Sequence, residues 1–248
     1  MSKRYLICTS LIIILLGSIL LNGVFFYVLK KYYTQFRVTA TFPTHENFYQ
    51  RTNKTVPEKK QKRVVFFGDS RIAQWKNIPN LEKIEWINRG ISGETTAQLR
   101  VRFEQDVLAL NPDVVVLQLG INDLVTIGVV PRRENIIVQQ CQDNLKFFVE
   151  ALVERNIEVI LLSIIPPASP GIARLPVWSE RIEKSVEKIN QYWLDLTPTE
   201  QLHVVDTTKV LKNEQGQWHD NVNKDTLHLT RLGYRYLNQA ISNILNSH

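Results

Sequence analysis

The six residues Val114–Leu119, VVVLQL, follow Asn111-Pro112-Asp113 and are apolar at every position but Gln118. A strand with one wet face alternates apolar and polar side chains, so a run that is apolar throughout belongs to a strand covered on both faces. Parallel sheets enclosed by helices meet that condition. Four other short apolar runs repeat the theme, at Val64–Phe67, Ile84–Ile87, Val159–Leu162 and His203–Val205. Stretches with helical spacing of apolar residues separate or follow them: Thr95–Leu110, Glu134–Glu154, Val177–Leu196 and Arg231–Leu245. This alternation predicts an α/β domain over residues 63–248, a three-layer α/β/α sandwich around a five-stranded parallel sheet.

The chain before residue 63 is of another kind. From Tyr5 to Leu29 there is no charged side chain, and 25 such residues exceed the roughly 20 that span a bilayer core as a helix. A cleaved signal peptide has a shorter apolar region that ends at small residues. Here the run ends at Phe25-Phe26-Tyr27-Val28-Leu29-Lys30-Lys31, so residues 1–31 are read as an uncleaved N-terminal transmembrane anchor that meets the membrane through residues 5–29. Residues 32–62 are polar with little periodicity and read as a basic linker. The first 63 residues hold eleven of the 30 Lys and Arg and two of the 24 Asp and Glu. Of the net charge of +6, this segment therefore contributes +9 and the remainder −3. The basic balance belongs to the anchor and linker, and a nucleic-acid surface on the main domain is not indicated. Lys3 and Arg4 flank one end of the run and Lys30, Lys31 and Arg37 the other, so the positive-inside rule barely orients it; an extracytoplasmic main domain is the expectation. Cys8 and Cys141 are the only cysteines, which excludes a disulfide within the domain.

In open parallel sheets of the flavodoxin-like kind, ligands bind beyond the carboxyl ends of the strands. The residues just after the five runs are Gly68-Asp69-Ser70, Asn88-Arg89-Gly90-Ile91-Ser92-Gly93-Glu94, Gly120-Ile121-Asn122-Asp123, Pro166-Pro167 and, past a longer loop, Asp225-Thr226-Leu227-His228. Small and polar residues thus gather at one edge. Serine becomes a nucleophile when a base takes its proton and a third group orients that base. Ser70, His228 and Asp225 offer these roles, and triads are defined by roles and not by chain order. Ser92 is a poor rival, because Gly90-Ile91-Ser92-Gly93-Glu94 lacks the last glycine of the G-x-S-x-G elbow. Acyl transfer also needs donors aimed at the developing oxyanion; the N–H groups of Ser70 and Gly93 and the amide of Asn122 can supply three.

Gly68-Asp69-Ser70, Gly93, Gly120-x-Asn122-Asp123 and Asp225-x-x-His228 resemble, in order, the four blocks of the SGNH or GDSL-type hydrolases, over about residues 63 to 245. The stretch NRGISGETTAQLRVRF is similar to the acetylhydrolase and lysophospholipase-like branch. The resemblance implies Ser70 as nucleophile, His228 as base, Asp225 as its partner and an oxyanion hole from Ser70, Gly93 and Asn122. The implied activity is hydrolysis of a lipid or short-acyl carboxylic ester with neither metal nor organic cofactor. A glycan O-acetylesterase or O-acetyl transferase, and a catalytically silent membrane-tethered binding module, are the alternatives. One departure is Arg71, where the motif has leucine; it is a candidate substrate contact or a surface or salt-bridged residue. Asp69 and Asp123 are read as loop-stabilising carboxylates. His219, Asp220, Asp225 and His228 lack zinc-site spacing.

Overall fold

The computed structural model describes residues 3–41, 58–76, 84–197 and 199–246. Two compact units divide the chain, Met1–His45 and Glu46–His248.

The described residues of the first unit form one helix, α1 (Lys3–Thr41). Lys3–Leu29 is long and apolar enough to cross a membrane by length and composition, since 27 helical residues rise about 40 Å against a hydrocarbon core of about 30 Å. The helix continues ten residues into the segment read as linker. YYTQFRVTAT has neither glycine nor proline, so its polarity does not interrupt a helix. The rest of the expected linker up to residue 57 lies outside the described residues.

In the second unit the elements run β1 (Lys62–Gly68), α2 (Ser70–Ala73), β2 (Ile84–Gly90), α3 (Thr96–Asp106), β3 (Val114–Gln118), α4 (Ile121–Leu124), α5 (Glu134–Val153), β4 (Glu158–Leu162), α6 (Arg181–Leu194), β5 (Leu202–Val205), α7 (Thr207–Leu211) and α8 (Arg231–Asn246). All five expected strands and four expected helices are present. The sheet is parallel throughout, in the order β2-β1-β3-β4-β5. Strand residues alternate between two cores, as the period of two requires. Val65, Phe67, Val115, Leu117, Val159 and Leu161 face a core completed by α3, α5 and α6. Val64, Phe66, Val114, Val116, Ile160 and Leu162 face a second core, completed largely by α8. The sandwich therefore has the expected three layers.

The chain leaves β1 for β2 on one side and returns to β3 on the other. The carboxyl ends of β1 and β3 thus flank the point where strand order reverses, the usual ligand position in such sheets. Gly68 pairs with both Gly90 and Gln118, which brings three strand ends level. A Cβ on Gly90 would lie 2.2 Å from the Ala73 nitrogen, so only glycine lets α2 rest directly on the end of β2.

Candidate active site

The apolar strand β1 ends at Gly68, and Asp69 turns the chain into the short helix α2. The Asp69 Oδ1 accepts from the Arg71 N–H at 2.9 Å, capping a helix whose first residue is Ser70. The turn delivers the Ser70 hydroxyl to the edge between β1 and β3, where the residue is 8% exposed. Its Oγ lies 3.0 Å from Nε2 of His228. On the other side of the ring, His228 Nδ1 lies 2.8 Å from Asp225 Oδ2 and 3.0 Å from Oδ1. Ser70, Asp225 and His228, which span 158 residues from Ser70 to His228, form one continuous hydrogen-bonded chain.

Asp225 is held in place by more than the ring. Its Oδ1 also accepts from the backbone N–H groups of Leu227 at 2.8 Å and His228 at 3.0 Å. Partial burial raises its pKa, but the Leu227 and His228 hydrogen bonds and the His228 charge outweigh it, leaving the carboxyl at about 2. An ionised Asp225 favours the tautomer in which Nδ1 carries hydrogen and Nε2 faces Ser70.

Besides the Ser70 N–H after β1, the candidate oxyanion donors follow β2 and β3. Gly93 has φ +85°, a left-handed conformation that favours glycine, with open space where a Cβ would stand. Asn122 lies on α4 and donates from Nδ2 to the Glu94 carbonyl at 2.9 Å. That bond ties Asn122 to the Gly93–Glu94 turn and leaves the second hydrogen of the amide to point elsewhere. The neighbouring carboxylate Asp123 accepts from the Thr96 N–H at 2.8 Å and from its Oγ1 at 2.6 Å. Burial pushes the Asp123 pKa up to about 6, against the lowering effect of both Thr96 bonds. Asp69 is raised as well, by burial. Both carboxylates bond backbone N–H groups, the role expected of them.

Arg71 differs from its expectation. It is 1% exposed, so it is neither a surface residue nor open to a substrate. Its Nε donates to the Leu227 carbonyl at 2.8 Å, and its own carbonyl accepts from the Tyr234 hydroxyl at 2.7 Å. Burial lowers its pKa to about 10, against the opposing pull of Asp69, Tyr234 and Asp225, so it remains a cation at neutral pH.

Sequence reasoning overlooked a second buried arginine. Arg102 on α3 donates from Nε to Glu94 Oε2 at 2.7 Å and from Nη1 to Asp106 Oδ2 at 2.9 Å, and its Nη2 lies 3.4 Å from the Gly68 carbonyl. The guanidinium thus braces the Gly93–Glu94 turn and the end of β1 together. A signal was available: Leu99, Arg102, Phe103 and Asp106 share one helical face, and a charged pair within an apolar stripe points to buried ion pairing.

Among the described residues no group of three His, Cys, Asp or Glu side chains could hold a metal ion. His219 stacks on Tyr236 with ring centroids 4.8 Å apart. Cys141 is buried, and burial, with Asp123 and Asp69 nearby, drives its pKa well up, which makes it a poor nucleophile.

The profile of the GDSL-like Lipase/Acylhydrolase family matches residues 66–236. The chain is 31% identical over 121 residues to the uncharacterized lipoprotein YqeF of Bacillus subtilis, covering 42% of this chain and 48% of that one. It is 49% identical over 41 residues to an acetylxylan esterase of Geobacillus stearothermophilus, 16% of this chain and 19% of the other. These matches span half or less of either relative. Among solved structures, a GDSL-like lipase from Bacteroides thetaiotaomicron superposes with a TM-score of 0.63 at 24% identity, covering 82% of this chain and 98% of that one; it shares the fold.

Proposed function

The chain belongs to the GDSL-like lipase/acylhydrolase family, and from that premise we propose that it is a serine hydrolase cleaving carboxylic esters through a covalent acyl-enzyme. The observation that carries this reading is the unbroken chain from Ser70 Oγ through both nitrogens of His228 to Asp225. In the first half-reaction His228 Nε2 takes the Ser70 proton as Oγ bonds to the ester carbonyl carbon. The carbonyl oxygen becomes an oxyanion, which the N–H groups of Ser70 and Gly93 and the Asn122 amide receive. As the tetrahedral centre collapses, the bond to the leaving oxygen breaks and His228 returns the proton to it, releasing the alcohol. Water then repeats the steps on the acyl-enzyme and frees the acid. Asp225 stays ionised throughout and stabilises the imidazolium that forms twice per cycle.

The substrate reading is a lipid or short-acyl ester, presented to a domain tethered by residues 5–29. A second reading, removal of acetyl groups from a glycan, is favoured by the 49% identity over 41 residues to an acetylxylan esterase. Hydrolysis of p-nitrophenyl acetate by the full chain tests the reaction. Ser70→Ala and His228→Ala should each lower kcat by at least about a thousandfold, and a fluorophosphonate should label wild type but not Ser70→Ala. Undiminished turnover in Ser70→Ala would overturn the assignment. Acetylated xylan beside a lysolipid separates the two substrate readings.

A further inference from the structure

Two segments at the Asn122 side of the sheet edge turn apolar side chains to solvent. One follows α4 through the 3₁₀ turn Val125–Gly128 and carries Val129 and Val130. The other follows β4 and contains the 3₁₀ turn Ile172–Val177. They touch: a Cβ on Gly128 would fall 2.0 Å from the Val177 carbonyl oxygen. Behind them, Arg181 Nη1 pairs with Glu134 Oε2 at 3.0 Å. On this braced platform Ile172 is 87% exposed, Val129 60%, Leu175 57%, Val177 45% and Val130 38%. Scattered single apolar residues need no explanation, but several gathered at one rim do. Arg132, Arg133 and Arg174 stand beside these five on the same two segments, and none of the three enters an ion pair among the described residues.

We propose that this rim is a docking surface for an anionic lipid bilayer. Apolar tips among unpaired arginines suit the boundary between headgroups and acyl chains, where aliphatic side chains enter and guanidinium groups meet phosphates. The chain carries its own candidate span at Lys3–Leu29, which keeps a bilayer within reach of the rest of the molecule. A second copy of the chain is a poorer occupant, because a two-fold contact would set the same arginines against themselves. Docking would bring the edge that bears Ser70 and Asn122 close to lipid. The inference does not depend on the hydrolase reading, since docking is measured without turnover.

The full chain in a Cys8→Ala background, carrying Ile172→Cys, is labelled with an environment-sensitive fluorophore. Cys141 is buried and stays unlabelled. The protein is reconstituted into phosphatidylcholine vesicles containing about 30% phosphatidylglycerol, with and without nitroxide-bearing lipids. Val101→Cys, on the exposed face of α3, is the control. The expected result is a blue-shifted label at 172, quenched several-fold more strongly than at 101. Arg132→Gln and Arg133→Gln should each lower the docked-to-undocked ratio about fivefold in anionic vesicles and leave it unchanged in pure phosphatidylcholine. Equal quenching at 172 and 101, or indifference to both arginine substitutions, would overturn the proposal. So would a label at 172 that is shielded in detergent and increasingly so with protein concentration, which would identify a second copy as the occupant. Activity on a soluble ester is read separately, so a failed docking test leaves the hydrolase reading standing.

Discussion

Arg102→Met removes the cation from the most enclosed ion cluster near the candidate site while keeping an apolar stem of similar length. The Arg102, Glu94 and Asp106 side chains are 1%, 2% and 4% exposed, so the change leaves two carboxylates facing each other away from water. Removing one partner of a buried pair costs about 3–5 kcal/mol. The contact to the Gly68 carbonyl, at 3.4 Å, is long and adds little. Against a typical total stability of about 5–15 kcal/mol, such a loss is severe, and in a chain of this size it lowers Tm by roughly 6–20 °C. Glu94→Gln in the Arg102→Met background removes one of the two carboxylate charges that lost the guanidinium, so the double variant should recover part of the loss.

All five tryptophans lie beyond residue 63, so urea unfolding of the detergent-solubilised chain followed by tryptophan fluorescence reports the second unit. Catalysis supplies the other readout. The Glu94 carbonyl holds Asn122, and Gly68 leads into the turn bearing Ser70, so residual folded Arg102→Met should lose kcat more than it gains KM. A single variant within about 1 kcal/mol of wild type would refute the assigned cost. A double variant no more stable than Arg102→Met would refute its cause.

Asp123 makes stability depend on pH. Its pKa is raised from the usual carboxylate value to about 6, so its contribution is full below about pH 4 and is lost as pH rises through about 6, a change of about 3 kcal/mol. Asp123→Asn can keep the Thr96 bonds without the charge and should flatten this slope in urea unfolding at pH 5 and pH 8; an unchanged slope would assign it elsewhere. Asp225 has the opposite sign: with its pKa held down to about 2, it stabilises above about pH 4 and loses that contribution as pH falls through about 2. The group is largely solvated, so Asp225→Asn should cost under about 1 kcal/mol at pH 6, while kcat on p-nitrophenyl acetate falls on the order of ten-thousandfold because the ring loses its tautomer. A large stability loss with intact kcat would reverse that reading.

The strands were legible because burial on both faces selects one side-chain type for several residues in succession, as in Val64–Phe67 and Val114–Leu117. The placement of the candidate site residues was legible for a related reason, since parallel strands put their following loops on one edge, and Ser70, Asn122 and His228 all lie there. The end of α1 was not legible. Polar composition suggested a linker from residue 32, but composition reports solvation, and without glycine or proline a helix continues through polar residues. Short helices such as α2 and α7 escaped because four or five residues cannot display a helical period; their signals are single caps, Asp69 and Asp206.

Arg71 shows a limit of a different kind. A charged side chain next to a candidate nucleophile reads as surface or as a substrate contact, because isolated charges are rarely fully buried. Here burial follows from position on α2: Asp69 caps the helix and Tyr234 holds the Arg71 carbonyl, which directs the side chain inward beneath the loop that ends at His228. A leucine at this position would fill the space and donate nothing. The guanidinium instead gives a charge-assisted bond to the Leu227 carbonyl, one residue before His228, and such bonds are about twice as strong as neutral ones. Helix α2 and the His228 loop, 158 residues apart between Ser70 and His228, are therefore joined both through the Ser70 hydroxyl and through Arg71. In the proposed mechanism His228 gives up its bond to Ser70 as the oxygen attacks, and the Arg71–Leu227 bond is then the joint that would keep the His228 loop in position while the proton moves.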